Sequence, residues 1–191
     1  MKVFIAILIL ILSLQSLTKA DDIRDLQIEN MSIGDSLLKY FNIREINTYK
    51  IKIHNSDRYT TIEINKNLNN YDYLQISFLT NDVKKKIARL DGVIIYKNNI
   101  DMCYQKIEDI FKKIKSIVPN LNDEGKLTYK HSGDKTGKST ITDHVLETNK
   151  KDEIQIACYD YSKDYLNTTD HLRVGIRLID YRNFLRNEAY N

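Results

Sequence analysis

The sequence has no tryptophan, one proline, six glycines and two cysteines among its 191 residues. It also lacks a GxSxG nucleophile elbow, an HExxH histidine pair and a calcium-binding loop. Neither cysteine is accompanied by a CxxC motif or a nearby pair of histidines, so a zinc site is not expected. These absences argue against the common serine hydrolases, zinc proteases and calcium-binding modules. No cofactor or metal is predicted.

Long apolar runs are also missing, apart from residues 3–14 at the N-terminus. Lys2 precedes this run, and the segment Thr18-Lys19-Ala20 follows it. This order of a basic residue, a short apolar stretch and small residues predicts a secretory signal peptide over residues 1–20. A membrane-spanning helix needs roughly 20 apolar residues, so we expect no transmembrane segment in the mature chain. No cysteine follows Ala20 directly, so no lipid anchor is expected.

Signal-peptide removal changes the charge of the chain. The loss of Lys2 and Lys19 lowers the basic count from 29 to 27 against 26 acidic residues, so the net charge falls from +3 to +1. A nearly neutral protein gives no electrostatic reason to expect a nucleic-acid partner.

The pattern of residues 21–191 predicts a single α+β domain. Four segments between residues 46 and 96 are rich in β-branched and aromatic residues and are separated by Asn, Asp and Ser, which predicts a meander of antiparallel strands. Within residues 154–178, apolar and polar residues alternate in two runs, one on each side of a polar loop at 162–170. This pattern predicts a C-terminal hairpin with one face on a core and one in water. Apolar residues recur at helical spacing over 98–118, so one main amphipathic helix is expected to pack on one face of the sheet.

Four smaller elements are also predicted. We expect a short helix at residues 36–42, a bulge or bend at Gly92, and a strand at 139–148 inside an otherwise irregular region. The segment after Asp180 is expected to form a terminal helix. Its Tyr181, Phe184 and Leu185 would pack on the sheet and its arginines would face water.

The two cysteines occupy apolar positions of predicted elements. Cys103 lies on the apolar stripe of the main helix, and Cys158 lies in the apolar row of a hairpin strand. Exported proteins enter oxidising compartments, where disulfides form and persist, so a Cys103–Cys158 bridge is predicted. Two free buried thiols are the alternative.

Several motifs have a chemical interpretation and a simpler structural one. The segment GDKTGKST at residues 133–140 is one residue too short for a phosphate-binding loop and is interpreted as a polar loop. Asp143–His144 and Asp170–His171 could support general base catalysis, but neighbouring strand residues point to opposite faces. Asn30 and Asn167 fit the glycosylation acceptor rule, which matters only in a eukaryotic source.

Tyrosine is abundant, with 13 residues, and it clusters beside the C-terminal hairpin. Tyr159, Tyr161, Arg173 and Arg177 are expected on the face of the hairpin that is not committed to the core. This face is the candidate binding surface, because exposed tyrosines can contact glycans or peptides. The alternative is that tyrosine simply suits strands.

Four segments together resemble a known family: MSIGDSLLKYF near the mature N-terminus, NNIDMCYQKIEDI on the helix, HSGDKTGKST in the loop, and ACYDYSKDY followed by DHLRVGI. The family comprises small exported proteins found mainly in marine alphaproteobacteria with AT-rich genomes. The resemblance spans nearly the whole mature chain and includes both cysteines. It implies a periplasmic location and no catalytic residues.

These observations predict an exported, periplasmic, non-enzymatic protein that binds an unknown ligand or partner protein. One alternative is a small cell-envelope hydrolase that uses Asp and His groups around His131, His144 and His171. A second alternative is a glycan-binding module that uses the tyrosine cluster. The sequence gives no indication of the oligomeric state.

Overall fold

The computed structural model describes residues 22–97, 99–165 and 168–190. The predicted signal peptide, residues 1–20, and the acceptor Asn167 lie outside the described residues. Within the described part of the chain, no helix is long and apolar enough to cross a membrane.

Eight antiparallel strands form one sheet in the order β1-β2-β3-β4-β8-β7-β6-β5. The strands are β1 (Lys50–Ile51), β2 (Tyr59–Ile64), β3 (Tyr73–Leu79), β4 (Ile87–Ile95), β5 (Asn122–Lys130), β6 (Thr140–Glu147), β7 (Glu153–Asp160) and β8 (His171–Arg177). Two meanders, β1–β4 and β5–β8, are joined where β4 pairs with β8. The predicted α+β class, with a meander and a C-terminal hairpin, is confirmed.

One face of the sheet carries the apolar residues and holds the main helix, α2 (Ile100–Ile117). The apolar row of β8 pairs with that of β7, and Cys158 lies opposite Leu172. A disulfide joins Cys103 of α2 to Cys158, as predicted. Burial of this face is the main stabilising contribution to the fold, because apolar area is removed from water on both the helix and the sheet.

The N-terminal segment extends the same core but differs from the prediction at residues 36–42. Leu37–Lys39 forms only one 3₁₀ turn, and the helix α1 (Ile43–Thr48) begins after it. The reason is Asn42, whose side chain accepts hydrogen bonds from the amides of Arg44 and Glu45 at 3.0 Å each. Asn42 therefore caps the start of a helix instead of lying near the end of one.

Gly92 does not mark a bulge. It lies in the regular ladder opposite Leu74 and Val174, and the register shift is at Ser77/Phe78 of β3. A Cβ at Gly92 would lie 2.4 Å from the ring of Tyr71, so the glycine provides room for an aromatic ring on the core side.

The region 119–152 contains one predicted and one unpredicted strand. The strand expected at 139–148 is β6. β5 was not predicted, and it forms an edge of the sheet with all nine residues exposed. A strand exposed on both faces has no reason to alternate apolar and polar residues, so it lacks the usual sequence signal.

The terminal helix α3 (Ile179–Asn187) packs on the face opposite α2, where Tyr181 and Phe184 are buried with Tyr59 and Ala88. The prediction that its arginines face water is wrong for Arg182, which is only 6% exposed.

Candidate functional site

The sheet face opposite α2 carries charged and polar side chains along its central strands. We call it the polar face. The prediction that this side of the C-terminal hairpin faces water is wrong for much of its length, because Gln155, Ala157 and Arg177 are all buried. Buried charges require partners, and the partners come from both meanders.

Asp91 of β4 is at the centre of the polar face and is fully buried. Its Oδ2 accepts hydrogen bonds from Arg89 Nε at 2.9 Å and Nη2 at 2.5 Å, and from Arg173 Nη1 at 2.7 Å. Arg177 Nη2 lies 3.9 Å from the same oxygen. Burial by itself would raise the pKa of Asp91, but the three guanidinium charges lower it well below its usual range. Asp91 is therefore ionised and holds three arginines in place.

Gly175 provides the space that Asp91 needs. The two residues are directly opposite each other in β8 and β4. A Cβ on Gly175 would lie 2.5 Å from Asp91 Oδ1, a distance that no side chain could accept without displacing the carboxylate. The glycine between Arg173 and Arg177 is thus part of the ion-pair geometry.

A second set of ion pairs continues towards α3. Arg177 donates to Glu153 at 3.0 Å and to Gln155 at 2.7 Å. Arg182 bonds to Glu147, and its Nε lies 2.7 Å from Glu153 Oε2. These contacts explain why Arg182 is buried: its charge joins α3 to two carboxylates of the sheet.

At the other end of the polar face, tyrosine and histidine rings lie side by side. The ring of His171 stacks on Tyr159 with centroids 4.6 Å apart, Tyr159 on Tyr161 at 6.0 Å, and Tyr161 on Tyr165 at 5.7 Å. His131 contacts Tyr161 edge-on at 5.3 Å. We call these five residues the aromatic end.

The candidate binding residues are in part brought together. The Arg173 guanidinium lies 5.5 Å from the ring centroid of Tyr159, and both residues and Tyr161 are half-buried. Arg177 lies in the same strand row but is only 9% exposed and is committed to Glu153 and Gln155. Tyr159, Tyr161 and Arg173 therefore form one partly exposed cluster, and Arg177 is not part of it.

The histidines of the hydrolase alternative are divided between the two faces. His144 lies on the α2 side, where its ring stacks on Phe111 at 4.1 Å, and Asp143 lies on the polar face. His131 and His171 both belong to the aromatic end. His171 Nδ1 is 3.0 Å from the carbonyl of Thr169 instead of meeting Asp170. Neither Asp–His pair of the sequence forms a dyad.

The GDKTGKST segment forms a closed polar turn. Asp134 accepts hydrogen bonds from the hydroxyl and amide of Ser139 at 2.7 and 2.9 Å, and from the hydroxyl of Thr136 at 2.7 Å. The strand β6 follows it, so no helix N-terminus faces the loop as phosphate binding would require.

The centre of the polar face was not anticipated from the sequence. Arg89 and Asp91 are two residues apart within IARLDGVII, the sequence of β4. Charges inside an otherwise apolar strand indicate buried partners. That signal was present in the sequence, but it could not identify Gln75, whose Oε1 accepts from Arg89 at 3.0 Å and from Arg173 at 2.9 Å.

We expect acid destabilisation from His171. Burial, assisted by the charge of Arg173, lowers its pKa from 6.5 to about 4. The unfolded chain takes up the proton first as the pH falls, so stability that is complete above pH 6.5 is lost as the pH falls towards 4. The expected loss is about 2 kcal/mol between pH 7 and pH 4.5, measured by urea unfolding at a series of pH values.

His171→Phe is the matched variant, because it retains a flat ring against Tyr159 and cannot titrate. Its unfolding free energy should fall less steeply over the same pH range. The unfolding free energy of the variant will still depend on pH, because the pKa of buried His54 is also lowered to about 4. Identical slopes for the wild type and the variant would contradict the assignment to His171.

No family model, curated protein or solved structure matches the chain. Among the described residues, no group of three or more His, Cys, Asp or Glu side chains is arranged to hold a metal ion.

Proposed function

We propose that the protein is an exported, periplasmic, non-enzymatic binding protein whose ligand contacts Tyr159, Tyr161 and Arg173 on the polar face. The observation that carries the proposal is the fixed position of Arg173 beside the tyrosine rings. Its Nη1 donates to Asp91 at 2.7 Å and to Gln75 at 2.9 Å. The export signal and the resemblance to small exported proteins support the location.

A guanidinium held in this way suits ligand binding because little conformational entropy is lost when a ligand binds. Both of these hydrogen bonds use Nη1, and the side chain is 12% exposed, which leaves Nη2 as the donor for a ligand. The tyrosines add flat, amphipathic contact area, and each has few rotatable bonds to fix. Desolvation raises the pKa of Tyr161 far above neutrality, so its hydroxyl is uncharged and can both donate and accept.

A carbohydrate is the ligand class that the aromatic end suits best. Sugar rings carry apolar C–H faces that pack on aromatic rings, and their hydroxyls pair with tyrosine and arginine donors. Three tyrosines and His131 are each partly exposed within one cluster, and the buried His171 supports Tyr159 by stacking on it. The weaker sequence-based alternative, a glycan-binding module, is therefore the specific form of the proposal that we favour.

The test is a glycan-array screen of purified protein, followed by titration of any glycan that binds. Tyr161→Ala should weaken binding about tenfold or more, the effect expected for a central aromatic contact. Tyr49→Ala is the control, because Tyr49 packs against Phe41, away from the polar face. Equal losses in both variants would contradict the assigned surface, and turnover of the bound glycan would contradict a non-enzymatic role.

A further inference from the structure

The outer edge of β5 presents a row of unpaired backbone groups. β5 is nine residues long, forms one side of the sheet and pairs only with β6 among the described strands. All nine of its residues are exposed. A strand edge of this kind is a template on which another strand can pair. We call it the β5 edge.

The ladder between β5 and β6 shows which backbone groups point outward. The amide of His131 donates to the carbonyl of Ser139 at 2.9 Å. Hydrogen-bonded and non-hydrogen-bonded pairs alternate along an antiparallel ladder, so Tyr129 and Leu127 also bond to β6. The residues that alternate with them turn their N–H and C=O groups away from the sheet. These residues are Lys130, Thr128, Lys126 and, across the bulge, Asp123.

Two large apolar side chains lie exposed beside the β5 edge. Leu127 is 57% exposed and Tyr129 is 43% exposed. Residues two apart in a strand share a face, and the Tyr129 hydroxyl donates to Asp143 at 2.9 Å, so both lie on the polar face. A strand paired with the β5 edge would remove apolar area of both side chains from water, which favours the pairing.

Charges of opposite sign lie near the two ends of the β5 edge, on the α2 side of the sheet. Asp123 is 3.8 Å from Lys115 of α2 in a partly exposed pair. Lys130 shares a face with Lys126, which pairs with Glu108 of α2 at 2.6 Å. Lys130 itself forms no ion pair with another described residue. An antiparallel copy of the same strand would therefore bring the acidic end of each strand to the basic end of the other.

Lysines and bulges often protect an edge from pairing, but both make contacts within this chain. The bulge between Asp123 and Lys126 accompanies an ion pair of Glu124 with Arg182 of α3 at 3.6 Å. The ammonium group of Lys126 is held by α2. Beyond the bulge, residues 126–130 pair with β6 in a regular register. The central part of the β5 edge therefore remains straight and able to pair.

We propose that the β5 edge pairs with the β5 edge of a second copy of this chain, antiparallel, about a two-fold axis through Leu127. In this register Lys126 of each copy lies opposite Thr128 of the other, and each such pair exchanges two backbone hydrogen bonds. Lys130 of each copy lies opposite Asp123 of the other. An axis through Thr128 would instead place Lys126 opposite Lys130, and like charges directly opposite are destabilising. The charges therefore select the axis through Leu127.

The contact uses the same residues on both copies, so it is isologous and closes at two chains. A two-fold axis between antiparallel neighbours of one sheet is perpendicular to that sheet. The polar faces of both copies therefore lie on the same side of one continuous sheet, and both β5 edges are covered. The pairing does not depend on the ligand at the aromatic end.

The first experiment measures the molar mass of the purified protein by sedimentation equilibrium. A contact made by one strand of each copy is small and gives weak association, so the protein concentration is varied from about 1 µM to about 1 mM. We expect the mass to rise with concentration from that of one chain towards that of two. The mass of a single chain over the whole range would overturn the proposal.

A charge exchange tests the register. Lys130→Asp and Asp123→Lys should each weaken association about tenfold, because two attractive pairs of the dimer become repulsive. The double variant restores opposite charges and should associate within about threefold of the wild type. Lys66→Asp, in the exposed loop after β2, is the control for a change of net charge and should have no effect. Single variants that associate like the wild type, or a double variant no better than either, would overturn the register.

Cross-linking tests the position of the two-fold axis. Non-hydrogen-bonded antiparallel pairs have Cα atoms about 4.5 Å apart, a separation that a disulfide can span. Leu127→Cys should therefore form a covalent dimer on mild oxidation, as seen on a non-reducing gel. Tyr129→Cys is the matched control, because its sulfur atoms would be separated by about 13 Å along the strands. Equal cross-linking of the two variants, or none with Leu127→Cys, would overturn the proposal.

Discussion

Asp91→Asn is expected to lower the free energy of unfolding by about 3 to 5 kcal/mol, the cost of removing one partner from a buried ion-pair cluster. Asparagine has almost the same shape, so the loss reflects charge and not volume. Without the carboxylate, the buried Arg89 and the half-buried Arg173 are left with neutral acceptors such as Gln75. The measurement is urea unfolding at pH 7, and a similar slope against urea would show that the native fold is retained.

Asp164→Asn is the matched control. Asp164 also pairs with a cation, Lys138 at 3.1 Å, but its side chain is 70% exposed. Its removal should cost less than about 1 kcal/mol. Adding Arg173→Met to Asp91→Asn should recover part of the stability, since one half-buried charge that has lost its partner is removed. If Asp91→Asn lowers the free energy of unfolding no more than Asp164→Asn does, the arginines find other partners.

Reduction of the Cys103–Cys158 disulfide is expected to lower the unfolding free energy by about 4 kcal/mol on the chain-entropy model. The bridge closes a loop with a sequence separation of 55 residues, so the oxidised chain has far fewer unfolded conformations. Urea unfolding with and without dithiothreitol measures the difference.

The double variant Cys103→Ala/Cys158→Ala is the control for this effect, because dithiothreitol should leave its stability unchanged. Mass spectrometry of the oxidised wild type should also show a protein lighter by the two thiol hydrogens. An equal mass before and after reduction would reject the bridge. A stability difference below about 1 kcal/mol would indicate that the unfolded chain is already constrained.

The sequence was sufficient to predict elements that bury one face and expose the other. In the helix with Cys103 and the strand with Cys158, the spacing of apolar residues shows which side faces the core. Both cysteines lie on that side, so the contact of helix and strand and the disulfide could be predicted. β5 is exposed on both faces and has no period to detect. Local patterning therefore determined how well each element could be predicted.

The polar face was only partly predictable for a different reason. Alternation in β8 placed Arg173 and Arg177 on one side of the strand, but it contained no information about their partners. Asp91 is 82 residues from Arg173 along the chain, and His54 is 127 residues from Tyr181. Such contacts depend on the strand order and on the packing of α3, and no local pattern specifies them.

The strand order also constrains when the protein can fold. β8 is the last strand of the chain, yet it lies at the centre of the sheet and pairs with β4 on one side and β7 on the other. A chain that emerges from its N-terminus can pair β1–β4 and, separately, β5–β7, but β4 and β7 each present an unpaired edge until residues 171–177 arrive. Completion of the sheet therefore waits for the end of the chain. If the chain is exported as we propose, the sheet can be completed only after residues 171–177 have been translocated.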